Sequence, residues 1–326
     1  MEHALVAEGI RREYDGTIAV DGVSLSVDRG EIFGLIGPNG AGKTTLIRAL
    51  TGTTDAEGSV TLLGDAADAV DDARIGLLPQ SFSPPDRLTP RELIDYYGDL
   101  YDDRRDTDAV LEDVGLTEAA ETWYENLSGG QKRRACVGIT LVNDPELLFL
   151  DEPTTGIDPA GRRSLWRLLE SLADRGRTIF LTSHSMTEVQ RLADRVGLIQ
   201  AGSIVAVGEP TDLIAKHGGS SRLVIGTAEA VIEAAKTAIE AAGFDAAGGL
   251  EAVVVENVSP VEISAIVEAI EAAGIEYGSL TWTEPTLEDV YLELTGEAFE
   301  GVGTPGAGAI DRDGDAVDVS AEEGSA

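Results

Sequence analysis

Positive charge is scarce in this sequence. Against 59 Asp+Glu stand 24 Lys+Arg, a formal net charge of −35, and the lysines reduce to Lys43, Lys132, Lys216 and Lys236. A surface of that sign repels nucleic acid and anionic lipid, so no nucleic-acid partner is expected. Repulsion among so many carboxylates is largely screened only in molar salt, where the Debye length is about 3 Å. The acidic excess runs through the folded region and points to the cytoplasm of a salt-accumulating halophile; an ordinary acidic protein with an acidic tail is the alternative. Cysteine is limited to Cys136, which excludes an internal disulfide, and its neighbours Ala135, Val137 and Ile139 make it a buried helix position. Long apolar runs are missing too. A membrane-spanning helix needs about 18 apolar residues in a row, and the densest patches, 147–150 and 252–255, are strand-sized. The first ten residues lack an apolar signal core. The expectation is a cytoplasmic chain that does not cross a membrane alone.

What is present is a chain of 326 residues, enough for one large domain and one smaller. Over 1–217, short aliphatic runs alternate with glycine turns and longer helical stretches, the rhythm of an α/β domain. Strands are expected at 31–36, 74–78, 147–150, 178–182 and 195–200. A helical insertion occupies about 85–130 and carries Tyr96, Tyr97 and Tyr101. After Gly218-Gly219 the composition turns to alanine, valine and glutamate, and a motif repeats: Ala238-Ile-Glu-Ala-Ala-Gly-Phe244 returns as Ala269-Ile-Glu-Ala-Ala-Gly-Ile275. Each copy ends a helix at a glycine and leads toward a strand. With strands near 222–226, 251–257 and 276–283, residues 218–296 read as a small α+β domain with a ferredoxin-like arrangement, whole or partial. Two unrelated alanine-rich helices in a narrow vocabulary are the competing reading. Residues 297–326, acidic and poor in large apolar side chains, read as a disordered tail.

The chemistry concentrates in the first domain. Gly37-Pro38-Asn39-Gly40-Ala41-Gly42-Lys43-Thr44 fits the P-loop pattern between an expected strand and an expected helix. Its glycines allow successive backbone amides to turn onto phosphates, and the helix N-terminus adds positive potential. Lys43 reaches the terminal phosphates and the Thr44 hydroxyl ligates Mg²⁺, with Thr45 beside it in the nucleotide-binding segment. The cofactors expected are therefore ATP and Mg²⁺. Further on, Leu147-Leu-Phe-Leu-Asp151-Glu152 is an aliphatic run ending in two acids. Such a strand presents Asp151 to the metal and Glu152 to water as general base. Alone it is weak evidence; behind a P-loop it gains force.

Between these motifs lies Leu127-Ser128-Gly129-Gly130-Gln131. Ser128 is a natural N-cap and the two glycines open the backbone to an anion. In this order, the three motifs resemble the ATPase subunit of ABC transporters, over nearly two thirds of the chain. The resemblance implies an α/β P-loop fold of ABC type and a homodimer in which the Ser128 segment of one copy binds the γ-phosphate held by the other. It also implies a separate transmembrane permease as partner and a place at the inner face of the membrane. Further roles follow the family order. Tyr14 matches the aromatic residue that stacks on adenine. Gln80 matches the glutamine that touches Mg²⁺ or water and links to the helical insertion. His184 matches the switch histidine at the γ-phosphate, and Asp158 the loop that crosses the dimer. On bare residue grounds Tyr14 is equally an edge of the core and Gln80 a surface side chain. The segment from Glu284 to Gly296 resembles the C-terminal element of the drug-exporter branch; on helix physics it is Pro285 and Thr286 opening an amphipathic helix with Leu287, Val290, Tyr291 and Leu294 on one face. Two other functions stay open at this point: a soluble ABC ATPase acting on ribosomes or DNA, and a regulatory ATPase.

Overall fold

The structure is a computed structural model that describes residues 2–297 and Phe299. Apart from Glu297 and Phe299, the expected tail over 297–326 therefore lies outside the described residues. The chain divides into two compact units, the first made of 1–217 together with the segment from Tyr291, the second of 218–290.

In chain order the first unit opens with β1 (His3–Tyr14), β2 (Thr17–Asp28), β3 (Ile32–Ile36), α1 (Lys43–Leu50), β4 (Glu57–Leu62), β5 (Asp65–Ala66) and β6 (Ile75–Leu78). Helices α2 (Pro90–Gly98), α3 (Thr107–Asp113) and α4 (Gly129–Ile139) follow. It continues with β7 (Leu147–Asp151), α5 (Pro159–Asp174), β8 (Thr178–Ser183), α6 (Met186–Leu192), β9 (Arg195–Gln200), β10 (Ser203–Gly208) and α7 (Pro210–His217). A six-stranded sheet has the order β10-β9-β3-β8-β7-β6. Its strands are parallel apart from β10. Every residue of β3, β7 and β8 is buried, which is why these strands read as continuous apolar runs rather than alternating ones. Phe180 stacks on Phe33 at 5.4 Å between ring centroids and lies 5.7 Å from Phe149.

A second sheet, β2-β1-β4-β5, is antiparallel and has no counterpart in the sequence reading. Its long strands carry register shifts, one between Ala7 and Ile10, where Gly9 takes a φ of 63°. Such a bulge breaks the two-residue alternation by which a half-buried strand is recognised. Helix α4 starts at its expected cap, Ser128, and buries Cys136. Helix α2 begins with a reciprocal cap in which Glu92 N–H donates to Thr89 Oγ1 and Thr89 N–H donates to Glu92 Oε2.

The second unit contains β11 (Arg222–Gly226), α8 (Ile232–Ala241), β12 (Ala246–Gly248), β13 (Ala252–Glu256), α9 (Ile263–Ala272) and β14 (Ser279–Thr283). Its antiparallel sheet has the order β12-β13-β11-β14, a ferredoxin-like βαββαβ arrangement. The short strand β12 is Ala-Ala-Gly and has no β-branched side chain to announce it. The repeated motif is a pair of helix stops. Gly243 N–H donates to Glu240 O and Phe244 N–H to Ile239 O, while Gly274 and Ile275 repeat this onto Glu271 O and Ile270 O. Both glycines have positive φ, 93° and 70°, as this type of C-cap requires. Ile239 and Ile270 are wholly buried, so the repeat positions the same core contact twice. The last helix, α10 (Leu287–Thr295), buries Leu287, Val290 and Tyr291 and is divided at Tyr291 between the two units.

Basic side chains in the first unit are surrounded by acids. Arg105 and Arg175 both hold Asp113, at 2.7 and 2.6 Å, and Arg91 holds Asp108 and Glu121 at 2.8 and 2.7 Å. With few cations left to offset the remaining carboxylates, the melting temperature is expected to rise steadily from low salt to molar KCl as repulsion is screened. Thermal scans across that range test this. A melting temperature independent of salt would contradict the high-salt adaptation.

Candidate functional site

Parallel strands end on the same side of their sheet, and loops leaving those ends build binding sites. Here β3 leads into the P-loop, β6 into Gln80, β7 into Glu152 and β8 into His184. The register fixes their spacing: Ile36 pairs with Ser183, Asp151 with Thr182, and Leu78 with Leu150.

The P-loop wraps the start of α1. Gly42 has a φ of 104° and forms its N-cap without a side-chain hydrogen bond, and no acid sits in the first turn. A Cβ on Gly42 would lie 2.3 Å from Ala19 O, so both conformation and space demand glycine. The open amides and the helix dipole give this end a positive potential suited to phosphate. Lys43 is buried; its ammonium donates to Gly37 O at 2.8 Å and Pro38 O at 3.0 Å, and lies 3.5 Å from Glu152 Oε1. Burial pushes the Lys43 pKa down, while the Glu152 and Asp151 carboxylates act the other way.

Glu152 is the convergence point. Its Oε2 accepts hydrogen bonds from Gln80 Nε2 at 3.0 Å and Thr155 Oγ1 at 3.0 Å, and lies 3.3 Å from His184 Nδ1. Burial works to raise its pKa, yet Lys43, the Thr155 hydroxyl, His184 and Gln80 together hold it below the usual glutamate value. The carboxylate is thus ionised at neutral pH, the form that accepts a proton. Its backbone is in the left-handed region, at a φ of 46°, which costs on the order of 1–2 kcal/mol for a residue with a Cβ. Two partners hold it there. Glu152 N–H donates to Thr182 Oγ1 at 3.0 Å, while Arg133, from α4, donates to Asp151 O at 3.0 Å, Glu152 O at 3.2 Å and Pro153 O at 2.8 Å. Thr182 Oγ1 in turn donates to Asp151 Oδ1 at 2.5 Å.

Neither Thr182, Thr155 nor Arg133 stands out in the sequence. Thr182 is recoverable only from its register opposite Asp151, Thr155 only from its place three residues after Glu152, and no motif marks Arg133 beyond its place on α4.

The other expected residues lie elsewhere. Ser128 caps α4 and exchanges hydrogen bonds with Gln131, Ser128 N–H to Gln131 Oε1 at 2.9 Å and Gln131 N–H to Ser128 Oγ at 3.3 Å. Ser128 and Gly129 are exposed, and no acid occupies the first turn of α4. Gly130 is buried against α5: a Cβ there would stand 2.8 Å from Gly161 Cα. Asp158 is the N-cap of α5, its Oδ1 accepting from Gly161 N–H at 2.7 Å. Tyr14 is partly exposed; its ring lies under the Arg12 guanidinium, 4.5 Å from the centroid, and its hydroxyl is 3.4 Å from Thr54 Oγ1.

Oxygen donors are the ligands Mg²⁺ takes, and it keeps few protein ligands when it arrives with phosphate. The Asp151 carboxylate at the end of β7 is a donor of that class, and the Gln80 side chain lies against Glu152, one residue further on. Among the described residues no group of three or more His, Cys, Asp or Glu could hold a metal ion.

Residues 20–155 match the ABC transporter family model. The chain is 36% identical over 313 residues to the linearmycin resistance ATP-binding protein LnrL of Bacillus subtilis (strain 168), covering 90% of this chain and 99% of that protein. It is 36% identical over 316 residues to the Nod factor export ATP-binding protein I of Rhizobium johnstonii, covering 91% and 96%. A solved structure, the ADP conformation of MJ1267, an ATP-binding cassette of an ABC transporter, superposes with a TM-score of 0.60 at 25% identity, over 67% of this chain and 95% of that one. With its P-loop and ionised Glu152 at one edge of the sheet, and with relatives matched almost end to end, this chain belongs to the ABC transporter family as an ATP-hydrolysing subunit.

Proposed function

We propose that the chain works as a pair in which each ATP site joins the P-loop of one copy to the Ser128 end of α4 from the other, and that closure on MgATP drives a separate export permease. The observation that carries the catalytic part is the convergence of Lys43, Gln80, Thr155 and His184 on the Glu152 carboxylate. Lys43 and the α1 amides hold the terminal phosphates; Thr44, Thr45 and the loop Gly37–Gly42 complete the cradle. Asp151, Thr44 and Gln80 would hold magnesium, which would offset phosphate charge. Glu152 takes the proton of the attacking water as its oxygen bonds to the γ-phosphorus and the bond to ADP breaks. His184 and Gln80 fix that carboxylate and place the water. Tyr14, backed by Arg12, offers a ring face to adenine.

The paired arrangement is supported by the exposed start of α4. Its Ser128–Gln131 cap is followed by Gly129 and Gly130 with no acid in the first turn, an anion-ready helix start like that of α1, and the cap's two hydrogen bonds close between Ser128 and Gln131. Asp158, next to α4 through the Gly130–Gly161 contact, is placed at the join between copies.

The permease reading draws on the printed names of the relatives, one a resistance protein and one an export protein, and on a surface of this chain. Among the described residues no helix is long and apolar enough to cross a membrane. A groove of about 150 Å³ lies between β6 and α2, lined by Phe82, Tyr97, Leu100 and Tyr101 among others. Leu100 and neighbouring Tyr96 are 67% and 60% exposed. Because β6 ends two residues before Gln80, a permease helix docked here presses on the loop that touches Glu152. Leu100→Glu is expected to leave the ATPase rate of the purified chain unchanged and to release it from native membranes. Sedimentation of the tagged chain, with mass spectrometry of the hydrophobic polypeptide that co-purifies, reads this. Ribosomal material instead of a polytopic membrane protein would overturn the transport reading.

A further inference from the structure

The Glu188 carboxylate, on α6, is wholly buried, and among the described residues no lysine or arginine forms an ion pair with it. A buried carboxylate without a basic partner needs hydrogen bonds to replace the water it has lost. Three donors do so here. Glu188 Oε2 accepts from Thr154 Oγ1 at 2.9 Å and from Ser183 Oγ at 2.6 Å, and Oε1 accepts from Trp166 Nε1 at 2.9 Å. Each comes from a different segment: the loop after β7, the end of β8, and α5. Elsewhere on its inner face α6 uses Met186, Val189 and Leu192, so an apolar side chain was available for mere packing.

Two of these donors, Thr154 and Ser183, flank the reacting groups. Thr154 stands two residues after Glu152. Ser183 immediately precedes His184, and its hydroxyl, while donating to Glu188, also accepts Ser185 N–H at 2.9 Å. The backbone on both sides of His184 is therefore tied to one buried carboxylate, which also holds the loop that follows Glu152. We propose that Glu188 is a positioning residue for ATP hydrolysis, fixing His184 against Glu152 at their 3.3 Å separation through Ser183 and Thr154. This rests on the catalytic reading of Glu152 and His184 given above.

Misplacing a catalytic group by about 1 Å costs up to roughly 100-fold in rate. The purified full-length chain carrying Glu188→Gln or Ser183→Ala is expected to lose 10- to 100-fold in kcat, with KM for ATP within about twofold of wild type. Ser183→Thr, which restores the hydroxyl, is expected to recover most of that loss. A purely structural role predicts something else: a lower melting temperature with kcat per folded molecule unchanged, and that result overturns the proposal. If Glu188→Gln does not fold, Ser183→Ala and its threonine rescue decide the matter. Glu152→Gln is run in the same assay. Should it be inactive while Ser183→Ala keeps wild-type kcat, the positioning role fails and the catalytic site stands; should Glu152→Gln turn over normally, the catalytic reading fails and takes this inference with it.

Discussion

Glu152→Gln is expected to lower ATP turnover by about 100- to 10,000-fold, the range a general base contributes, while ATP still binds. The amide matches the carboxylate in size and keeps an oxygen toward Gln80 and Thr155. It cannot take a proton from water. It also removes the negative charge 3.5 Å from Lys43, so the ammonium loses an internal competitor for phosphate. Stalled before hydrolysis, the variant should accumulate as an ATP-bound dimer, visible by size-exclusion chromatography with MgATP. Wild-type turnover in the purified variant would remove Glu152 from the chemistry.

Lys43→Ala should abolish turnover for a different reason. Its ammonium is the buried cation within reach of both the loop carbonyls and Glu152, and its loss leaves the phosphates facing a carboxylate with no counter-charge. Nucleotide binding and hydrolysis should fall together, by about 100-fold or more, since a charged hydrogen bond contributes about 1.5–3 kcal/mol and the unpaired Glu152 adds to that. Equilibrium binding of a fluorescent ATP analogue separates the two variants: retained for Glu152→Gln, lost for Lys43→Ala. Retained affinity in Lys43→Ala would show that the α1 amides suffice.

How much of this was legible beforehand depends on how local the signal is. The parallel strands β3, β7 and β8 declare themselves because both faces are buried, so each carries a run of consecutive apolar residues, broken only at the polar ends Asp151, Thr178, Thr182 and Ser183. The P-loop declares itself because glycine, lysine and threonine at fixed spacing have one shared physical use. The antiparallel sheet was missed because bulges such as that at Gly9 interrupt its alternation, and β12 because three small residues carry no strand signal. In the site, Lys43, Asp151 and Glu152 are contiguous with their motifs, but Thr182, Arg133 and Glu188 act through contacts between segments 18 to 34 positions apart. No spacing rule reaches that far; only strand register and helix packing bring them together. The left-handed φ of Glu152 is likewise invisible in sequence, since Asp-Glu after an aliphatic run does not announce a strained backbone.

If one ATP site is built from two copies, mixing two inactive variants tests it most directly. Lys43→Ala spoils the P-loop, whereas Ser128→Arg places a bulky cation at the exposed start of α4; if every site joins one of each, both homodimers are inactive. In a mixed dimer one site carries both defects. The other joins the intact P-loop of the Ser128 variant to the intact α4 of the Lys43 variant. Random exchange makes about half the dimers mixed, so independent sites would recover about a quarter of wild-type ATPase activity under two-fold symmetry, and coupling between sites would lower that figure. Activity clearly above both parents is the predicted result. No recovery, with exchange demonstrated by a labelled pair, or full activity of Ser128→Arg by itself, would contradict the shared site.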